Sequence, residues 1–361
     1  MWPNNALTDR LGIELPIIQA PMAGAATPAL AAAVSNAGAL GSLGFGTSSI
    51  AAIGEQVDAF SNRSNRALNW NFFCHPEPAE IEARSAAMRE RLAPIFAERG
   101  LPSPAVPSSP FASFGSDHLA LIESRRPRIV SFHYGLPASD LLAAVKTTGA
   151  VVMCSATSVA EARLLAEGGA DVIIAQGAEA GGHRGTFTGL AVTRHAGTMA
   201  LVPQIVDAVD RPVVAAGGIT DGRGIAAALM LGASAVQMGT AFLFCPESQV
   251  SAAHRRALAE ARDDSTRLTR LFSGKPARSL INELMEQLED VEDQAAPFPI
   301  QTSLIAPLGQ EDGQWSSLWA GQAAALGRQM PATDLVKKLA EEVERLLRRE
   351  STVIPPAGEP A

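Results

Sequence analysis

Lysine is scarce in these 361 residues: only Lys146, Lys275, Lys337 and Lys338 occur, alongside one tyrosine, Tyr134, and three cysteines. None of the lysines ends an apolar, strand-like run, which excludes Schiff-base aldolase chemistry. Cys74, Cys154 and Cys245 are far apart, odd in number and without metal-ligand spacing. They read as reduced, buried thiols of a cytoplasmic protein and not as a disulfide framework. No apolar stretch is long and unbroken; the richest, 28–45, is interrupted by Ser35, Asn36 and several glycines, so no membrane span is expected. Asp9, Arg10 and Glu14 break up the first fifteen residues, which carry no secretory signal pattern. Charged residues are only 18% of the chain and the net charge is -8. That balance offers no basic face for nucleic acid. Paired carboxylates for glycoside hydrolysis and carboxylate–histidine clusters for a metal are also missing from the strand ends.

What is present is a large apolar fraction, 47%, enough for an extensive buried core. Eight short apolar runs recur at 16–22, 39–45, 67–73, 129–135, 150–156, 171–177, 212–218 and 235–242. Several are apolar at nearly every position, as Val151-Val152-Met153-Cys154 is, and strands covered on both faces require this. Helical patterns fall between them at 28–36, 48–60, 79–99, 138–147, 158–167, 198–208 and 221–231. Thr157 or Ser158 caps one helix, which stops at Gly168-Gly169; Thr220 or Asp221 caps another, which stops at Gly232. Eight alternating units favour an α/β fold of the closed (β/α)8 TIM-barrel type over an open doubly wound sheet, although counting strands does not establish closure. After 242 the rhythm changes. Residues 246–295 read as helix-prone without a strand, and helical character returns at 316–327 and 333–350. The expected organisation is a barrel over 1–244, a smaller helical cap over 245–315, and C-terminal helices over 316–361 that return to the barrel. Residues 102–110 read as an irregular loop and 355–361 as a frayed tail.

Chemistry in such barrels sits at the C-terminal strand ends. The polar groups there include Gln19, Asn69, Asn71, His133, Gln176, Glu179, His183, Gln237 and Thr240. Most are neutral hydrogen-bonding groups, suited to holding a bound organic cofactor that performs the hard chemistry. The seventh run ends on Gly217-Gly218 before a helix, and the eighth ends near Gly239 and Thr240. Glycines admit close backbone approach and a helix N-terminus favours a dianion, so the two loops read as a phosphate site. The amides of Asn69 and Gln176 can donate and accept together, matching the mixed edge of an isoalloxazine ring. The segment 175–185 places four glycines around His183, a candidate base or hydrogen-bond donor; His133 ends the fourth run and faces the same mouth.

These motifs resemble the class I nitronate monooxygenases, formerly called 2-nitropropane dioxygenases. The resemblance runs through Gln19-Ala20-Pro21-Met22, the 69–75 and 131–137 segments, the 176–185 loop, Ala215-Ala216-Gly217-Gly218-Ile219, Gln237-Met238-Gly239-Thr240 and Ser317-Leu318-Trp319-Ala320-Gly321-Gln322. It implies an FMN-bound barrel in which Asn69, Gln176, Gly181, Gly218, Gln237, Met238, Gly239 and Thr240 contact the cofactor. Met22 would lie against the ring and Gln322 would touch it. His183 would be the active-site histidine, with His133 beside it. The implied reaction converts a small-molecule nitronate, such as propionate 3-nitronate, and O₂ into a carbonyl compound and nitrite. Relatives often place tyrosine and lysine in the cap-side pocket; here Tyr134 is the only tyrosine and Lys275 the only lysine of the cap, and Trp315 or Trp319 is the alternative lining.

Two rival readings stay open. One is an NAD(P)H-dependent FMN reductase of the same superfamily, of the quinone or enoyl-acyl-carrier-protein type. Ala175-Gln176-Gly177 and Phe132-His133-Tyr134-Gly135 speak against it, and no Gly-x-Gly-x-x-Gly fingerprint follows the first strand. The other is a non-catalytic phosphate-ligand barrel. Nothing in the sequence specifies an oligomer, and exposed apolar faces leave a homodimer open.

Overall fold

All eight apolar runs become strands in the computed structural model, which describes residues 6–105, 112–309 and 313–350. In chain order the barrel strands are β1 (Ile17–Gln19), β2 (Gly41–Gly44), β3 (Leu68–Phe73), β4 (Ile129–His133), β5 (Val151–Ala156), β6 (Val172–Gln176), β8 (Val213–Ala216) and β9 (Ala235–Met238). They form one parallel sheet in the order β1-β9-β8-β6-β5-β4-β3-β2. A parallel bridge from Ile18 to Leu40, just ahead of β2, joins the two ends. Gln19 reinforces that seam, its Oε1 accepting from Ser42 N–H at 2.9 Å. The sheet is therefore a closed (β/α)8 barrel, and the open doubly wound alternative falls away.

Closure explains why these strands are apolar on both faces. Ile18, Leu40, Ile129, Val151, Met153 and Val172 pack inside the barrel with Leu7 and Leu11 of the helix Ala6–Leu11, which plugs its N-terminal end. Trp70, Phe72, Val130, Val152 and Ile173 point outward into the core beneath the helices. Ser158 and Asp221 are the caps actually used, accepting from Glu161 N–H and from Arg223 and Gly224 N–H. The C-terminal helix Ala332–Glu350 returns to the barrel and buries Leu335, Val336, Leu339 and Val343 in the same core.

Three expectations need correction. Residues 246–295 do contain strands: β10 (Thr266–Thr269) and β11 (Ala277–Leu280) pair antiparallel, and β11 also pairs with β7 (Gly182–His183). Both β10 and β11 are four residues long and mixed in polarity, too short to show alternation. The appended part is thus mixed, not purely helical. Secondly, 316–327 is largely irregular, with a bridge from Trp319 to Ser279 and only a short 3-10 turn at Ala324–Leu326. Thirdly, the helix Ile81–Glu98 does not cover the barrel. Its Met88, Leu92 and Phe96 join Leu271, Phe272, Leu284, Met285 and Trp315 in a second core, while the unforeseen helix Ser116–Arg125 buries Ile122 in the barrel core. Most of the 102–110 loop and the whole 355–361 tail lie outside the described residues.

Candidate active site

The loop 177–185 leaves β6 and is tied down at both ends by side chains the sequence supplies locally. Gln176 folds back over it, Nε2 donating to the His183 carbonyl at 2.9 Å and Oε1 accepting from Gly185 N–H at 2.8 Å. Arg184 is fully buried beneath it and donates to the carbonyls of Gly177 (2.6 Å) and Gln176 (2.7 Å). Arg278 donates from β11 to the Ala178 carbonyl at 3.2 and 3.1 Å. Gly181 is needed for close approach: a Cβ there would stand 2.5 Å from Gly321 N. The result is a platform on which the β7–β11 pairing sets the position of His183.

His183 is half-buried, with its ring packed among aromatic side chains. Nε2 lies 2.8 Å from Ser273 Oγ, and the rings of Trp319, Phe298, Tyr134 and Phe73 have centroids 5.2, 5.6, 6.2 and 6.4 Å away. Burial pushes its pKa down to about 3, with His133 and Lys275 acting in the same direction. At neutral pH His183 is an uncharged imidazole. Ser273 Oγ also lies 3.3 Å from the Lys275 carbonyl. With the hydroxyl hydrogen on that carbonyl, Nε2 carries the proton and Nδ1 keeps a free lone pair.

His133 sits behind the loop. Its Nε2 faces the His183 carbonyl at 3.3 Å; a carbonyl only accepts, so Nε2 donates and Nδ1 accepts from Ser155 Oγ at 3.1 Å. Burial lowers its pKa to about 4. The structure thus brings the two histidines together, with His133 holding the backbone of His183.

The remaining expected cofactor residues divide into three groups. Among the described residues nothing partners the buried amide oxygens of Asn69 (Oδ1) and Gln237 (Oε1), while Asn69 Nδ2 donates to Ser42 Oγ at 3.1 Å. A Cβ at Gly239 would touch Ala20 Cβ at 3.6 Å and Met22 Sδ at 3.7 Å, and Gly218 has φ +70°. By contrast, Gln176 is spent on its own loop, Thr240 Oγ1 accepts from Gly321 N–H at 2.9 Å, and the Met238 side chain lies in the core under the helices. The N-terminus of the helix Gly222–Met230 also departs from expectation. Asp221 accepts from Arg223 and Gly224 N–H, and Glu342 accepts from Gly222 N–H at 3.0 Å, so carboxylates already occupy that end. Any phosphate contact therefore rests on the Gly217-Gly218 and Gly239-Thr240 turns.

Sequence reasoning missed Ser273 and Phe298, which only the folding of the 266–298 region brings to His183. It left Trp315 and Trp319 as alternatives: Trp319 faces His183, whereas Trp315 is in the second core under Arg99. Among the described residues no group of three or more His, Cys, Asp or Glu could hold a metal. No described helix is long and apolar enough to cross a membrane. Cys74, Cys154 and Cys245 are all free, and burial raises the pKa of each.

Residues 4–342 match the model of the nitronate monooxygenase family. The chain belongs to that family. A nitronate monooxygenase of Pseudomonas aeruginosa is 44% identical over 93% of this chain and 99% of its own, and one of Paraburkholderia phytofirmans is 42% identical over 95% and 96%. Among solved structures, a nitroalkane oxidase from Streptomyces ansochromogenes superposes with a TM-score of 0.86 at 36% identity, covering 96% of this chain and 100% of that one. FabK from Thermotoga maritima superposes at 0.76 with 27% identity, covering 98% and 100%. Membership in the nitronate monooxygenase family makes this chain an oxidoreductase acting on a small molecule.

Proposed function

We propose that this nitronate monooxygenase family member is an FMN-dependent enzyme that oxidises alkyl nitronates, such as propionate 3-nitronate, with O₂ to a carbonyl compound and nitrite. The observation that carries the flavin part is the pair of buried, unpartnered amide oxygens on Asn69 and Gln237. A buried acceptor without a donor costs about 1–3 kcal/mol, so two of them in the barrel ask for a ligand that donates hydrogen bonds. Asn69 and Gln237 would meet the ring edge and Met22 its face. The turns at Gly217-Gly218 and Gly239-Thr240 would hold the phosphate, and Gly181 would admit the loop's close approach. When bound, FMN supplies the one-electron chemistry that amides and imidazoles lack.

The chain's own residues do the rest. His183 offers Nδ1 to the substrate as a neutral acceptor, able to take the α-proton of a nitroalkane or to hold water beside a nitronate. Ser273 keeps its ring oriented and His133 keeps its backbone in place. Phe73, Phe298 and Trp319 pack around the ring and limit its contact with water, which strengthens polar contacts there.

The likeness to FabK keeps the NAD(P)H-dependent reductase as the second reading. Anaerobic mixing of the FMN-loaded protein with NADH and, separately, with propionate 3-nitronate decides between them. The absorbance spectrum should change with the nitronate and not with NADH; the reverse outcome transfers the protein to the reductases. A protein that takes up no FMN would instead fit the non-catalytic barrel.

A further inference from the structure

Outside the His183 enclosure, a cleft of about 710 Å³ opens between the ends of two barrel helices and the loop 186–191. That volume falls within the range of small-molecule sites, roughly 300–1,000 Å³. Leu142, Leu164 and Leu165 line it from the helices Ser139–Thr147 and Val159–Glu167, and Leu136, Phe187 and Leu190 from the loops. Leu164 is 51% exposed, unusual for a leucine beside a core. Among the described residues two cations, Lys275 and Arg270, line the cleft and no carboxylate does.

Lys275 is the unusual group. It is half-buried and its Nζ stands 4.0 Å from the Tyr134 ring centroid and 5.9 Å from that of Phe298. No carboxylate pairs with it among the described residues. Burial, with Arg270 acting in the same direction and the Glu161 carboxylate against it, lowers its pKa to about 8, so at neutral pH it remains mostly a cation. The cleft wall is also fixed in advance. The buried Glu161 carboxylate accepts from Thr186 Oγ1 (2.7 Å), Phe187 N–H (3.0 Å) and Thr188 Oγ1 (2.9 Å), holding the loop open over the leucines.

We propose that this cleft is a second ligand site, for an anionic amphiphile: a monocarboxylate whose head pairs with Lys275 and Arg270 and whose unbranched alkyl chain lies along Leu142, Leu164 and Phe187. Attraction between the head and the two cations supplies orientation, and burial of the chain supplies affinity. Tyr134, which borders both the cleft and His183 and has the strained φ of +74°, forms the shared wall. The inference concerns binding alone and does not depend on the flavin reading.

Titration calorimetry of octanoate into the protein as purified tests it, with acetate and octylamine as the tailless and oppositely charged controls. Octanoate should bind once per chain, and each control at least tenfold more weakly. Lys275→Met and Leu164→Glu should each weaken octanoate at least tenfold, and Lys275→Arg should restore it. Leu164 is half-exposed, so L164E gives a folded variant even if K275M does not. Absence of octanoate binding, equal binding of octylamine, or undiminished affinity in L164E would overturn the proposal.

Discussion

Acidification to pH 5 should destabilise the protein through His183, by an amount the enclosure fixes. Unfolded, this histidine titrates near 6.5; folded, burial holds it at about 3. Between those values the unfolded chain binds a proton that the native state refuses, so stability is full above the unfolded pKa and falls as pH drops through the window. At pH 5 the loss is RT ln(1 + 10^1.5), about 2 kcal/mol for this one residue. His133, held at about 4, and His254, also at about 4, contribute losses of the same sign. Urea unfolding followed by tryptophan fluorescence at pH 7.5 and pH 5 measures the total. In His183→Asn, which keeps a polar group beside Ser273 without a titrating ring, the loss should shrink by about 2 kcal/mol while those from the other histidines persist. If the variant and the unaltered protein lose equal stability over this interval, His183 is not the excluded, uncharged group described above.

Other substitutions probe other parts of the site. Gln237→Met should leave the stability of the cofactor-free protein unchanged or raise it, because Oε1 has no protein partner, and should weaken FMN at least tenfold in a fluorescence-quenching titration. Gly181→Ala drives a Cβ into the backbone at Gly321; the protein should fold by circular dichroism but lose most nitrite release. Glu161→Ala frees the donors of Thr157, Thr186, Phe187 and Thr188 at once, and chemical denaturation should show a loss of about 2–4 kcal/mol. That carboxylate is held below its usual pKa: burial alone raises it, but the bonds from Thr157, Thr186 and Phe187 outweigh burial.

The barrel was legible in the sequence because burial on both faces of a strand leaves short, β-branched, continuously apolar runs, here recurring eight times between helical patterns. Val172–Gln176 and Val213–Ala216 are buried at every position and apolar at almost every one. Caps such as Ser158 and Asp221 were legible for an equally local reason. The cap region was not. The four-residue strands Thr266–Thr269 and Ala277–Leu280 gain their pairing from distant segments, and the helix Ile81–Glu98 chooses the second core by tertiary contact alone. The same distinction runs through the site. His183 announced itself through its glycines, whereas Ser273 reaches it across 90 residues of chain. Gln176 was visible as a strand-end amide, but whether such an amide faces a ligand or its own loop is settled only by the turn that follows it. The helix Gly222–Met230 shows a similar limit, since Glu342, 120 residues on, takes Gly222 N–H.

Nitrite release in air from propionate 3-nitronate, measured on protein with FMN bound and on the same protein stripped of it, is the most direct test of flavin-dependent nitronate oxidation. Turnover should be sustained without NADH in the first sample, abolished in the second and restored when FMN is returned. Nitrite production that is absent in all three, or indifferent to the flavin, would contradict it.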